Sequence, residues 1–247
     1  MEIIVHTEQV FDLRCCISDW QRDTSGTAHM YNAAMNYKGL LQNHMTKLSD
    51  SFRMNELAYL ALTSKIELPI RDKMAYRIFL EQFPNYISAR EWKRSDLVLL
   101  NNFEPACIVE FKAMYTFNAI FQPSKFARLM ESDIKKAFKI ANKNTEVYSI
   151  ILATHPCKEI FEEEKYEKII KYCNKGINKA YDKFINSNTI KETAKKNFES
   201  QFKNQDRLLS GTIKAGTAFD IEVEILYWIY GPHMMAQPSK ELFEMKS

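Results

Sequence analysis

Residues 95 to 112 read Ser95-Asp96-Leu97-Val98-Leu99-Leu100-Asn101-Asn102-Phe103-Glu104-Pro105-Ala106-Cys107-Ile108-Val109-Glu110-Phe111-Lys112. Two short apolar runs, Leu97 to Leu100 and Cys107 to Val109, flank an Asn-Asn-Phe-Glu-Pro segment that breaks regular structure. That pattern predicts a β-hairpin. Side chains alternate across a strand, so Glu110 and Lys112 share one face while Phe111 points to the opposite layer. Pairing the strands across the turn is expected to bring Asp96 near Glu110. Two carboxylates at strand ends, with an ammonium two residues on, make a hard-oxygen site for a divalent cation such as Mg²⁺. This is the chemistry of phosphodiester cleavage, in which a cation polarises the phosphate and acidifies water while a lysine offsets developing charge. The plainer expectation is three charges flanking a buried strand pair, because E-x-K alone is degenerate.

The chain has 247 residues, 46% hydrophobic and 26% charged, which predicts one large soluble domain with a substantial core. Glycines number only six, and neither G-x-x-x-x-G-K-[ST] nor G-x-G-x-x-G occurs, which disfavours a Gly-rich nucleotide loop. The start, Met1-Glu2-Ile3-Ile4-Val5-His6, does not read as a signal peptide, and Ile225 to Tyr230 is too short to cross a bilayer. Five cysteines, with Cys15 and Cys16 adjacent and no C-x-x-C, argue against a disulfide framework and a structural zinc site. A cytoplasmic protein without a membrane partner is expected. His6, His29, His44, His155 and His233 are scattered and support no zinc hydrolase. Net charge is +3, but residues 121–204 hold 17 Lys/Arg against 11 Asp/Glu, whereas residues 1–120 hold 13 against 14. A polyanionic partner suits that asymmetry, and a solvated lysine-rich helical face explains it equally.

Apolar spacing predicts helices over Thr27 to Leu48, Asn55 to Ser64, Glu67 to Glu81 with Pro69 in the first turn, and Ser124 to Ile140. Glu67 stands at a helix start, where capping is its ordinary role. Val147 to Thr154 reads as a buried strand and Thr217 to Tyr230 as an alternating one closed by Gly231-Pro232, with residues 158–204 helical between them. The expected class is α/β: a central mixed sheet flanked by helices, in a single domain over 1–247. Its core would span about 55–155 plus strand 217–230, with residues 1–50 and 158–204 as helical additions.

The succession of a helix bearing Glu67, a strand led by Asp96, a strand ending Glu110-Phe111-Lys112, a helix carrying Asp133 and Lys136, and the apolar strand Tyr148 to Thr154 resembles the PD-(D/E)XK nuclease superfamily. Type II restriction endonucleases are the nearest in size. The resemblance covers roughly residues 65–155, and Ser95 stands where the name motif has proline. It implies a restriction endonuclease-like core that hydrolyses double-stranded DNA and leaves 5′-phosphate ends. Asp96 and Glu110 would hold Mg²⁺ with the main-chain carbonyl near Phe111, and Lys112 would be the catalytic lysine. Glu67 would be the acid some members carry on the first core helix. A homodimer acting on a palindromic site is implied, with a cognate DNA methyltransferase acting on the same site as a partner. Lys93, Arg94, Lys125 and Arg128, which flank the motif elements, are the candidate phosphate contacts.

Other functions remain open from the residues alone. An anti-phage effector or repair nuclease of the same fold would cut with little sequence preference. A DNA- or protein-binding module would bind without turnover. A glycosidase would use Asp96 and Glu110 as an acid/base pair, although Lys112 and the downstream basic excess fit it poorly.

Overall fold

The computed structural model describes residues 35–160, 163–184, 186–202 and 207–234. Helices α1 (Tyr37–Thr46), α2 (Glu56–Thr63) and α3 (Glu67–Gln82) lead into a meander of β1 (Ile87–Trp92), β2 (Ser95–Asn101) and β3 (Glu104–Tyr115). Next come α4 (Thr116–Phe121), α5 (Pro123–Ala137) and β4 (Glu146–Pro156). The short α6 (Glu163–Tyr166), a π-helical turn over Cys173–Asn178, α7 (Lys179–Phe184) and α8 (Ser187–Gln201) precede the closing hairpin of β5 (Arg207–Ala218) and β6 (Ile221–Tyr230).

Local sequence accounts for these boundaries. In α3, Pro69 lies in the first turn, where a missing N–H costs nothing, and Ile70, Met74 and Ile78 form the buried stripe. Pro123 opens α5 in the same way, and Ala127, Met130, Ile134 and Ala137 face the core. The Asn186 side chain caps α8 by accepting from the amides of Asn188 and Thr189.

The six strands form one mixed sheet in the order β1-β2-β3-β4-β6-β5. Only β3 and β4 run parallel, joined by the crossover through α4 and α5, and every other neighbour is antiparallel. On one face, α5 and α8 cover Val98, Ile108, Val147, Ile151, Leu226 and Trp228. Alternation sends Leu97, Val109, Phe111, Ile150 and Leu152 to the other face, where α2 and α3 pack on the sheet. An aromatic group under α8 joins the layers, with the Phe198 and Trp228 rings 4.8 Å apart and the Phe202 and Tyr230 rings 4.9 Å apart. Each such ring contributes on the order of 1.5–3 kcal/mol through burial.

The expected mixed α/β sheet is therefore present, with two corrections. The run from Thr217 to Tyr230 is not one strand. It contains the turn Phe219-Asp220, with φ of 53° and 58°, and the unexpected β5 precedes it. The Asn102-Phe103 turn of the β2–β3 hairpin has the same left-handed pair, with φ of 48° and 62°. Both turns use Asn or Asp, which tolerate that conformation, in place of glycine, so the glycine signal for a hairpin was missing. The second correction concerns the helix expected over Thr27 to Leu48. Its described part is the ten-residue α1, ending at Thr46. The positions before Met35, among them Met30 and Ala34, lie outside the described residues, as do the expectations for residues 1–25. The helical reading of 158–204 holds for α6, α7 and α8.

Candidate active site

The site is built where β3 outruns β2. Leu97 pairs with Val109, and beyond that point β2 turns away while β3 continues to Tyr115. The β3 amides of Phe111 and Ala113 then face the side that β2 has left and need acceptors. Two acids supply them. Asp96 Oδ2 accepts from the Phe111 amide at 2.8 Å, and Glu67 Oε2, from the first turn of α3, accepts from the Ala113 amide at 3.1 Å. The capping role expected for Glu67 is thus served at a strand, not at its own helix, whose first residue follows Ile66 with no side-chain cap. In a strand the N–H and C=O of one residue project to the same side, so the Phe111 carbonyl faces the Asp96 side as well.

Continuing the register by one residue sets Asp96 opposite Glu110, on the face covered by α5. Lys112 follows two residues on and reaches α5, where its Nζ lies 2.6 Å from Asp133 Oδ2. Asp133 also receives Lys136 at 2.8 Å. The side chains of Asp96, Lys112 and Asp133 are 24%, 21% and 17% exposed, so solvent reaches them, while Glu110 is buried at 4%. Behind Asp96 sits the buried Arg71 of α3. Its Nη1 is 3.9 Å from Asp96 Oδ1 and 3.0 Å from Glu91, and its Nε bonds Asp72 at 2.9 Å.

Burial dominates the electrostatics. It pushes the Glu110 carboxyl up to about 7, helped by the Asp96 and Asp133 charges and opposed by a hydrogen bond from Ser95. Asp96 is raised for the same reason, partly offset by the Phe111 amide, Lys112 and Arg71. Two carboxyls side by side each disfavour the other's ionisation, so both are raised. Burial alone would lower Lys112, but its bond to Asp133 and the charges of Asp133, Glu67 and Asp96 outweigh it and keep the ammonium protonated. Burial would raise Asp133, and its two lysines hold it below the ordinary carboxylate value.

Asp96, Glu110, Lys112 and Glu67 are thus brought together. Lys93 and Arg94 form the exposed tip of the β1–β2 turn next to Ser95, both left-handed, with φ of 50° and 73°. Lys125 and Arg128 are exposed on α5, one to two turns before Asp133. Among the described residues, no hydrogen bond or ion pair joins these four to the carboxylates. Sequence reading did not select Asp133, Arg71 or Ser95 as site residues. A signal existed for Asp133, because a carboxylate one turn before the buried Ala137 and three residues after the buried Met130 sits at the edge of an apolar stripe. Arg71 had the same signal beside Ile70 and Met74.

Comparison with known proteins adds nothing to this geometry. No family model, curated protein or solved structure matches the chain.

The donors suit a hard divalent cation: Asp96 and Glu110 carboxylate oxygens and the Phe111 carbonyl are all oxygen. Among the described residues, no three His, Cys, Asp or Glu side chains form a protein-only cage. A cation here would complete its shell with water or substrate oxygen, as Mg²⁺ commonly does.

Proposed function

We propose that the chain is a Mg²⁺-dependent endodeoxyribonuclease with a restriction endonuclease-like core, acting on double-stranded DNA as a type II restriction enzyme. The observation that supports this reading most is the convergence at the end of β3: Asp96 opposite Glu110, with Lys112 two residues on and Glu67 against the next amide. Buried acids kept close together at the cost of a raised pKa are unfavourable for folding and fit a site that gains a cation in use.

In this reading Asp96, Glu110 and the Phe111 carbonyl would hold Mg²⁺, which would supply Lewis-acid activation of the phosphate and of water. The Phe111 amide fixes the Asp96 carboxylate through Oδ2, while Oδ1 lies 3.9 Å from the Arg71 guanidinium. Lys112, protonated and paired through one of its three donors, offers the others to a phosphate oxygen or an attacking water. Lys93, Arg94, Lys125 and Arg128 hold the DNA backbone on either side, and a homodimer would match a two-fold recognition sequence, one that a partner methyltransferase would protect. Alternatives are a nuclease of this fold that serves defence or repair with little sequence preference, and a binding module without turnover. The latter draws on one observation, the depth of Glu110.

Plasmid digestion with purified protein tests all three. Mg²⁺-dependent discrete bands are expected, and Lys112→Ala is expected to abolish cleavage while DNA binding in Ca²⁺ stays within about threefold, since phosphate contacts elsewhere carry the affinity. A smear replaces the restriction role with the non-specific one. Binding without cleavage, or full cleavage by Lys112→Ala, removes the catalytic assignment.

A further inference from the structure

Lysine is a flexible choice for a group that must stand within hydrogen-bond reach of a reacting atom. Its four-carbon stem carries about 2 kcal/mol of rotamer entropy, and a misplacement of about 1 Å costs roughly 10²-fold in rate. Lys112 is not left to that freedom. Its Nζ is held at 2.6 Å by Asp133 Oδ2, in a pair whose two side chains are about four-fifths buried, at 21% and 17% exposed. The anchor itself is rigid. Asp133 lies between Met130 and Ile134, whose side chains pack into the core, on a helix that also packs on β2, β3 and β4. The carboxylate is held from its other side by Lys136 at 2.8 Å. The charges of Asp96 and Glu67 also act on the ammonium.

We propose that Asp133 is a positioning residue for cleavage: from α5 it fixes the Lys112 ammonium beside the Asp96–Glu110 pair, so that β3 carries the lysine and the crossover helix sets where it points. This rests on the nuclease reading above and adds to it a residue outside the D…E-x-K triplet. The alternative for an ion pair bridging helix and strand is a brace between α5 and β3. A brace predicts loss of stability with no selective effect on turnover.

The test uses the full chain and three variants at Asp133, with Lys136→Ala as a control. Asp133→Ala is expected to lower kcat about 10²-fold with KM for DNA within about twofold, because ground-state binding does not use Lys112. Asp133→Glu restores a carboxylate on the same helix and is expected to recover at least a tenth of the wild-type kcat, whereas Asp133→Asn keeps an acceptor without the charge and falls between the two. Lys136→Ala removes one of the two cations on Asp133 and leaves the Lys112 pair, so it is expected to lower kcat less than Asp133→Ala does. A second readout needs no activity: reductive methylation of Lys112 in the metal-free protein, followed by mass spectrometry, is expected to run several-fold faster in Asp133→Ala than in wild type. Unchanged kcat and unchanged labelling in Asp133→Ala overturn the positioning role while cleavage by the wild type leaves the nuclease reading intact. Equal loss of kcat in Asp133→Ala and Asp133→Glu, tracking lost thermal stability with unchanged labelling, identifies a brace and overturns the proposal. Absence of cleavage by the wild type removes the nuclease reading, and the role of Asp133 in cleavage with it.

Discussion

Replacing Glu110 by glutamine is expected to stabilise the metal-free protein at pH 8 and to change it little at pH 5. Glu110 is 4% exposed, and burial followed by the Asp96 charge moves its carboxyl from 4.5 to about 7. An acid raised on folding keeps its proton in the native state over a range where the unfolded chain has released it. Its contribution to stability is therefore full below about 4.5 and is lost as pH rises through about 7. At 1.36 kcal/mol per pH unit the loss by pH 8 is about 3 kcal/mol, set against a total of about 5–15 kcal/mol for a domain. Glutamine has the shape of the protonated acid and cannot ionise, so Glu110→Gln should recover about 3 kcal/mol at pH 8 and under about 1 kcal/mol at pH 5. Urea unfolding followed by the fluorescence of the buried Trp228 measures both. The comparison must be made between proteins at one pH, because the buried histidines act over nearly the same window with the opposite sign. Mg²⁺ at pH 8 should stabilise the wild type and not the variant, since a cation that binds only the folded state raises its stability. If Glu110→Gln is destabilised to the same extent at both values, Glu110 is not a carboxyl kept protonated by burial, and the electrostatic basis of the site is wrong.

His155 is fully buried between Thr116 Oγ1 at 3.1 Å and Ser187 Oγ at 2.8 Å, and burial lowers it from 6.5 to about 4. Its contribution is complete above about pH 6.5 and is lost as pH falls through about 4, about 3 kcal/mol in all. In acid titrations of the Glu110→Gln variant, which lacks the compensating acid, this loss should be visible as a falling urea midpoint, and a flat profile from pH 7 to 4 would exclude it. Glu67→Ala leaves the Ala113 amide without its acceptor and should cost about 1–3 kcal/mol, with Glu67→Gln costing less because an oxygen remains. Equal thermal melting of the two variants would contradict that account. Lys125→Ala with Arg128→Ala should reduce the dependence of DNA affinity on salt by about two in log–log slope in Ca²⁺, and an unchanged slope would move the DNA elsewhere.

Several features of the site were already legible in residues 95–112. The two apolar runs with a turn between them specify a hairpin, and strand alternation then sets Glu110 and Lys112 on one face whatever the rest of the chain does. The helices carrying Glu67 and Asp133 were equally clear, from apolar spacing and, for the first, from Pro69 in its first turn. The β5–β6 hairpin was not. Its turn is Phe219-Asp220, and the alternation of Phe219, Ile221, Val223 and Ile225 runs through it without interruption, so a reversal of the chain leaves no mark on periodicity. Helical spacing records which face of α3 and α5 is buried and not what lies opposite it, so the partners of Arg71 and Asp133 leave no mark in the sequence.

The amino-acid sequence alone determined the class of fold, the strand pair, and the shared sheet face of Glu110 and Lys112, because these follow from periods of two and 3.6 residues acting over short range. The tertiary structure decided the rest. The end of β2 at Ser95 leaves the Phe111 and Ala113 amides to Asp96 and Glu67, and the packing of α5 places Asp133 against Lys112. Desolvation then makes Glu110 a weak acid. Those effects depend on distances between elements far apart in the chain and on exclusion of water, and no local pattern encodes either.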